Sequence, residues 1–231
     1  MGEKPATVET LRAQIDADPK LAPLLVALEE ASRQDPRRDV GHALRVAAWT
    51  LRCLPPGQDP RAAVAAALLH NSIEAARDEV ERTRASERNA ARAARLLTSA
   101  GFTPEAVREI CLAIRDHHRD ADGLPASPVG AALQDAARLE SLGTLSLLRT
   151  VATGARRDAG DRGGEPAAGD GRLLGVARFF IQLLRQPALM RTAVGRAEAE
   201  RRAQAVRRFL AELADDLEGP IVVEPEGPDD G

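Results

Sequence analysis

Tyrosine is absent, and aromatic residues make up only 2% of the 231-residue chain: one tryptophan and four phenylalanines. Few planar side chains are left on which bases or sugars can stack. Lysine is almost missing too, because arginine supplies thirty of the 32 basic residues. With so much alanine, this bias reflects a GC-rich genome rather than a function. Neither sign of charge dominates: the formal net charge is −3. No basic excess exists to attract a phosphate backbone, which argues against general nucleic-acid binding. The two cysteines, Cys53 and Cys111, form no CxxC pair and no disulfide framework. Both lie among apolar neighbours and read as buried thiols in a reducing cytosol. No run of about eighteen apolar residues occurs, so no membrane span is expected. The opening stretch MGEKPATVETLRAQ has no apolar signal core, and Ala6 stands where a myristoylation signal wants serine or threonine. These absences read as a cytoplasmic protein. Nucleophile-elbow, P-loop and dinucleotide fingerprints are missing as well.

What the chain does have is alanine. Hydrophobic residues reach 44%, yet strand formers are scarce and helix formers abundant. No segment alternates with period two, so an all-α fold of eight or nine helices is expected. Asp35-Pro36, Asp59-Pro60, Thr103-Pro104 and Ser127-Pro128 each place a capping oxygen before a proline suited to the first helical position. Gly101 suits a helix end. The spacing predicts helices over 6–17, 21–34, 39–54, 60–78, 86–100, 104–118, 128–153, 172–185 and 188–218. The stretch 154–171 is rich in glycine and charge and reads as a flexible loop. The acidic, proline-rich 219–231 reads as a disordered tail. Residues 1–34 are then N-terminal helices packed on a core of 35–153, and 172–218 complete the same domain. No internal repeat is found.

The chemistry-bearing residues are few. Of four histidines, His42, His70, His117 and His118, His42 lies beside the apolar stripe of Val46 and Trp49. His70 follows the apolar run VAAALL and enters the interior. His117 lies two turns after Ile110, on the same face. Three imidazoles on three helices could converge on a divalent metal, or each could be a hydrogen-bonded core histidine.

The motifs HALRVA, AAVAAALLHN, EICLAIRDHH and QDAARLESLG follow one another between about 39 and 150. In that order they resemble the HD-domain superfamily of metal-dependent phosphohydrolases, and within it small stand-alone bacterial members. A weaker similarity runs on to about 213. The resemblance implies an HD-like helical fold and a site for one or more divalent metals. It implies that His42 and His70 are metal ligands, that Asn71 stands in the place of the paired aspartate, and that His117 lines the pocket in a catalytic role. Arg45 matches the arginine of the H-x-x-R-V pattern, and Arg45 and Arg115 are the candidates to supply positive charge near the cleft for a phosphorylated substrate or nucleotide.

Two departures bear on the chemistry. Asn71 replaces one carboxylate, and Ala137 stands where the last aspartate ligand is expected. Asp135 remains on that helix as a candidate ligand, although two residues is about 200° of helical rotation. A hard divalent ion needs carboxylates to neutralise it. Glu74, on the His70 face, and Glu140, one turn after Ala137, are the candidate replacements, with Glu74 the candidate catalytic carboxylate. Two readings result. In the first, the chain keeps a histidine-lined cleft, binds no metal or a weakly held divalent ion (Mn, Mg, Ni or Zn), and acts as a ligand-binding or regulatory module. In the second, it is an active phosphohydrolase with a rearranged metal site.

Overall fold

The computed structural model describes residues 7–34, 39–70, 79–117, 125–149, 180–181 and 183–216. Among them are eight bounded α-helices and no strand: α1 (Val8–Ala17), α2 (Ala22–Gln34), α3 (Val40–Cys53), α4 (Pro60–Leu69), α5 (Glu79–Ser99), α6 (Pro104–Asp116), α7 (Pro128–Ser141) and α8 (Ala193–Asp216). A short 3-10 turn covers Gln186–Leu189, and 144–149 are helical as well. The all-α expectation is met. The expected loop at 154–171 and tail at 219–231 lie outside the described residues. No described helix is long and apolar enough to cross a membrane.

The centre is α4. Every residue from Ala62 to Leu69 is at most 1% exposed, as a helix that is apolar all round requires. Its small alanines let neighbours approach closely. It packs against α2, α3, α5, α6 and α7, and α3 also lies along α7. Around this centre the helices bury single stripes: Asn89, Ala93 and Leu97 on α5, and Gly195, Ala199, Ala203 and Val206 on α8.

The local signals mostly act as read. Asp59, Thr103 and Ser127 each accept a hydrogen bond from a first-turn amide, with proline at the helix start. Gly101 has φ +78°, and the Phe102 amide donates to the Leu97 carbonyl at 3.1 Å, which closes the end of α5. Asp35 and Pro36 lie outside the described residues. Asp39 is the cap of α3, its carboxylate accepting from the His42 amide at 3.1 Å.

The helix expected over 60–78 ends at Leu69, and two other expected helices are broken. The one over 128–153 stops at Ser141, because Leu142 is extended and Gly143 takes φ +116°. The one over 188–218 begins only at Ala193, where the Thr192 hydroxyl accepts from the Gly195 amide at 3.0 Å. Neither Gly143 nor Thr192 is announced by a proline, so the spacing ran through both.

Neighbouring residues of the QDA segment tie these parts together. Gln134, fully buried, donates through Nε2 to the Asp116 carbonyl at 2.7 Å and accepts from Arg191 Nε at 3.3 Å. Asp135, also fully buried, accepts from the Arg191 and Thr192 amides at 2.8 Å each and from the Thr192 hydroxyl at 2.7 Å. One residue thus secures the end of α6 beside His117, and the next secures the entry to α8.

Candidate functional site

Three helix positions bring three imidazoles into a row. His42 sits in the first turn of α3, His70 caps α4 and His117 caps α6. The His42 and His70 ring centres are 5.5 Å apart, and those of His70 and His117 are 5.1 Å apart, edge to face. His70 and His117 are buried, whereas the His42 side chain is 24% exposed, so the row opens to solvent at its His42 end.

Each ring is fixed through Nδ1. His70 Nδ1 donates to the Ala67 carbonyl at 2.7 Å, and His117 Nδ1 donates to the Ile114 carbonyl at 2.5 Å. A carbonyl only accepts, so Nδ1 of each ring carries a proton, and in the neutral form the lone pair is then on Nε2. His42 Nδ1 lies 3.3 Å from Glu140 Oε2, and donation to that carboxylate selects the same tautomer. Pinning one ring nitrogen to an oxygen acceptor is how a protein presents the other.

Glu140 is the buried carboxylate that meets His42. Its side chain is 4% exposed, and Oε2 also accepts from Arg45 Nε at 2.9 Å, with Arg149 Nη1 at 3.8 Å. Burial pushes its carboxyl pKa up, but the hydrogen bonds from His42 and Arg45 and the Arg45 charge outweigh burial and hold it below the ordinary glutamate range. Arg149 and Arg45 also reach Asp39, at 2.6 and 3.7 Å. The network therefore joins the start of α3 to the end of α7 and to the helical stretch after it.

The other expected site residues divide clearly. His42, His70, His117 and Arg45 are gathered here. Asp135, expected as a metal ligand, is committed instead: both its oxygens are taken by residues 191 and 192. The physical reason is the one its position on the helix suggests, since it turns from the Ala137–Glu140 face to meet the start of α8. Arg115 is about half exposed and its nearest carboxylate is Asp116, at 3.7 Å. Asn71 and Glu74 lie outside the described residues. The residues that sequence reasoning missed are Asp39 and Arg149. Asp39 carried a readable signal, standing three residues before His42 as a helix cap. Arg149 is 110 residues from Asp39 and carried none.

A divalent metal is what the resemblance implies, and the described donor set does not fit a hard one. No group of three or more His, Cys, Asp or Glu among the described residues is placed to hold an ion. Ala137 offers no donor, Asp135 is committed elsewhere, and Glu140 is occupied by two cationic or donating partners. Softer ions that accept imidazole nitrogen alone are the better chemical match for His42 and His70.

Comparison with known proteins agrees with the geometry. Residues 39–149 match the HD domain family. The chain is similar to the uncharacterized protein YpgQ of Bacillus subtilis, with 31% identity over 115 residues. That match covers 48% of this chain and spans about half, 53%, of the curated relative. Solved structures share the fold. One is YpgQ in complex with ADP, at 22% identity and TM-score 0.62, covering 86% of this chain and 97% of that one. Another is an HD-superfamily hydrolase of Bacillus thuringiensis, at 21% identity and TM-score 0.63, covering 85% and 96%. A third is a predicted HD-superfamily hydrolase from an uncultured Thermotogales bacterium, at 24% identity and TM-score 0.61, covering 90% and 98%.

Proposed function

We propose that this HD-domain chain is a binding module for a nucleotide or similar phosphorylated ligand, and that it has lost efficient metal-dependent hydrolysis. One observation carries the reading. The buried carboxylate bonded to His42, Glu140, is spent on His42 and Arg45, while Ala137 stands where the last carboxylate ligand is expected. A metal that activates water needs a neutralising, fixed ligand set, and the described residues do not supply one. The histidine row, open at His42, is kept as the ligand-facing wall. The solved complex of the related YpgQ contains ADP, which supports a nucleotide as the ligand class.

An active phosphohydrolase is the second reading, and the common Nδ1 tethering favours it, because such tethering also suits imidazoles that ligate through Nε2. Calorimetry with ADP separates the two. Under the binding reading ADP binds without added metal, and His117→Ala weakens it. A requirement for Mn or Mg before any ADP binds would overturn that reading and favour the second.

A further inference from the structure

A cavity of about 250 Å³ lies between α3, the end of α7 and α8. Its walls include Arg45, Trp49, Glu140, Arg201 and Arg202, with 142–145 as its rim. None of the three histidines lines it. Three guanidinium groups face one carboxylate in the wall, and the carboxylate that neutralises Arg201 and Arg202 is a single shared one, Glu198, at 2.7 Å from each. Arg45 spends Nε on Glu140, while its Nη2 makes no hydrogen bond among the described residues and has Asp39 Oδ2 at 3.7 Å, so its fork has donor capacity in reserve. The indole of Trp49 carries the guanidinium carbons of Arg52 and Arg202 at 4.8 and 4.9 Å from its ring. Stacking of this kind orders an arginine that would otherwise sweep through solvent. Arg202 is held further, donating to the Leu139 carbonyl.

A preordered set of planar forks around a small cavity is the arrangement that suits a tetrahedral oxyanion. We propose that this cavity is a second, non-catalytic site for a small organic phosphate, distinct from the histidine row and joined to it through the shared pair Arg45–Glu140. An anion there competes with Glu140 for Arg45. Glu140 is in turn the acceptor that sets the His42 tautomer, so occupancy of the cavity alters the ring at the mouth of the cleft. The proposal does not rest on the histidine row binding anything.

Trp49 makes the test direct. It is the chain's one tryptophan, and tyrosine is absent, so indole emission comes from a single side chain in the wall of this cavity. Inorganic phosphate and glycerol phosphate are titrated into the full chain at constant ionic strength set with chloride, with calorimetry alongside. The expected result is a saturable emission change at about millimolar concentration or below. Arg201→Gln, at a side chain that is 70% exposed, should keep the wild-type melting temperature and weaken phosphate binding by about tenfold or more, as loss of a charged donor implies. His117→Gln or His70→Gln, whichever melts as the wild type does, should leave phosphate binding unchanged. The proposal is overturned by no saturable signal in either emission or calorimetry, by equal binding in Arg201→Gln, or by loss of binding in a folded histidine variant. Because the histidine variants test the cleft and Arg201→Gln tests the cavity, failure of one reading is told apart from failure of the other.

Discussion

Replacing Glu140 by alanine removes the side-chain acceptor that His42 and Arg45 share and takes one carboxylate from Arg149. Breaking a buried ion pair from one side costs about 3–5 kcal/mol. His42 and Arg45 are 24% and 29% exposed and regain some water, so the lower end, about 3 kcal/mol, is the reasoned value. For a chain of this length that is a fall in melting temperature of about 6–12 °C. Glu140→Gln keeps the shape and one acceptor oxygen, and should cost about 1–2 kcal/mol. The pH dependence separates charge from packing. The folded pKa of Glu140 is depressed, so its contribution is fully present above the unfolded value and is lost as pH falls through the folded value. The gap in melting temperature between wild type and Glu140→Gln should be widest near neutrality and close progressively below about pH 4.3, the ordinary glutamate value. With only four histidines, imidazole nitrogen spectra should also show His42 losing its fixed tautomer in Glu140→Ala. A gap that stays constant from pH 7 to below pH 4, or no gap at all, would refute the account of this carboxylate.

Asp135→Ala should destabilise the fold by about 2–4 kcal/mol, because three donors at the entry to α8 lose their acceptor; a chemical denaturation curve shifted by less than about 1 kcal/mol would contradict the anchoring role. Gly195→Ala should cost about 1–3 kcal/mol, since a Cβ there would stand 2.4 Å from Asp135 Oδ2, and an unchanged melting temperature would show that the contact yields freely. Ala137→Asp restores a carboxylate one turn before Glu140. It should lower the melting temperature without metal, raise Mn affinity, and regain stability with Mn present. A variant that ignores Mn would show that residue 137 does not face the histidines.

Much of this architecture was legible in local chemistry. Proline after a capping oxygen at 59–60, 103–104 and 127–128 marks helix starts because both preferences are set within one turn. The buried α4 was legible in its unbroken apolar run, and His70 at its end could only point inward. What stayed hidden depends on partners distant in the chain. Asp135 looked like a residual ligand because helical phase tells only which way a side chain turns, not that the amides of Arg191 and Thr192 await it 56 residues later. Glu140 was only a candidate replacement carboxylate, since its place on the helix equally suits a solvated surface charge, and it turns out buried. That Arg45 and His42 already occupy it follows only from the packing of α3 along α7. The break at Gly143 was missed for a related reason: apolar residues continue on both sides, and a single positive φ ends the helix without altering the pattern.

The central claim, a phosphate-ligand site without efficient hydrolysis, is tested most directly by phosphate release from nucleoside di- and triphosphates incubated with the purified wild type and Mn, Mg, Co or Ni. The account predicts no metal-stimulated turnover above the uncatalysed rate in a preparation that binds ADP by calorimetry. Metal-dependent turnover by the wild type, at ordinary enzymatic rates of about 1 s⁻¹ or more, would contradict it and establish the site as an active phosphohydrolase.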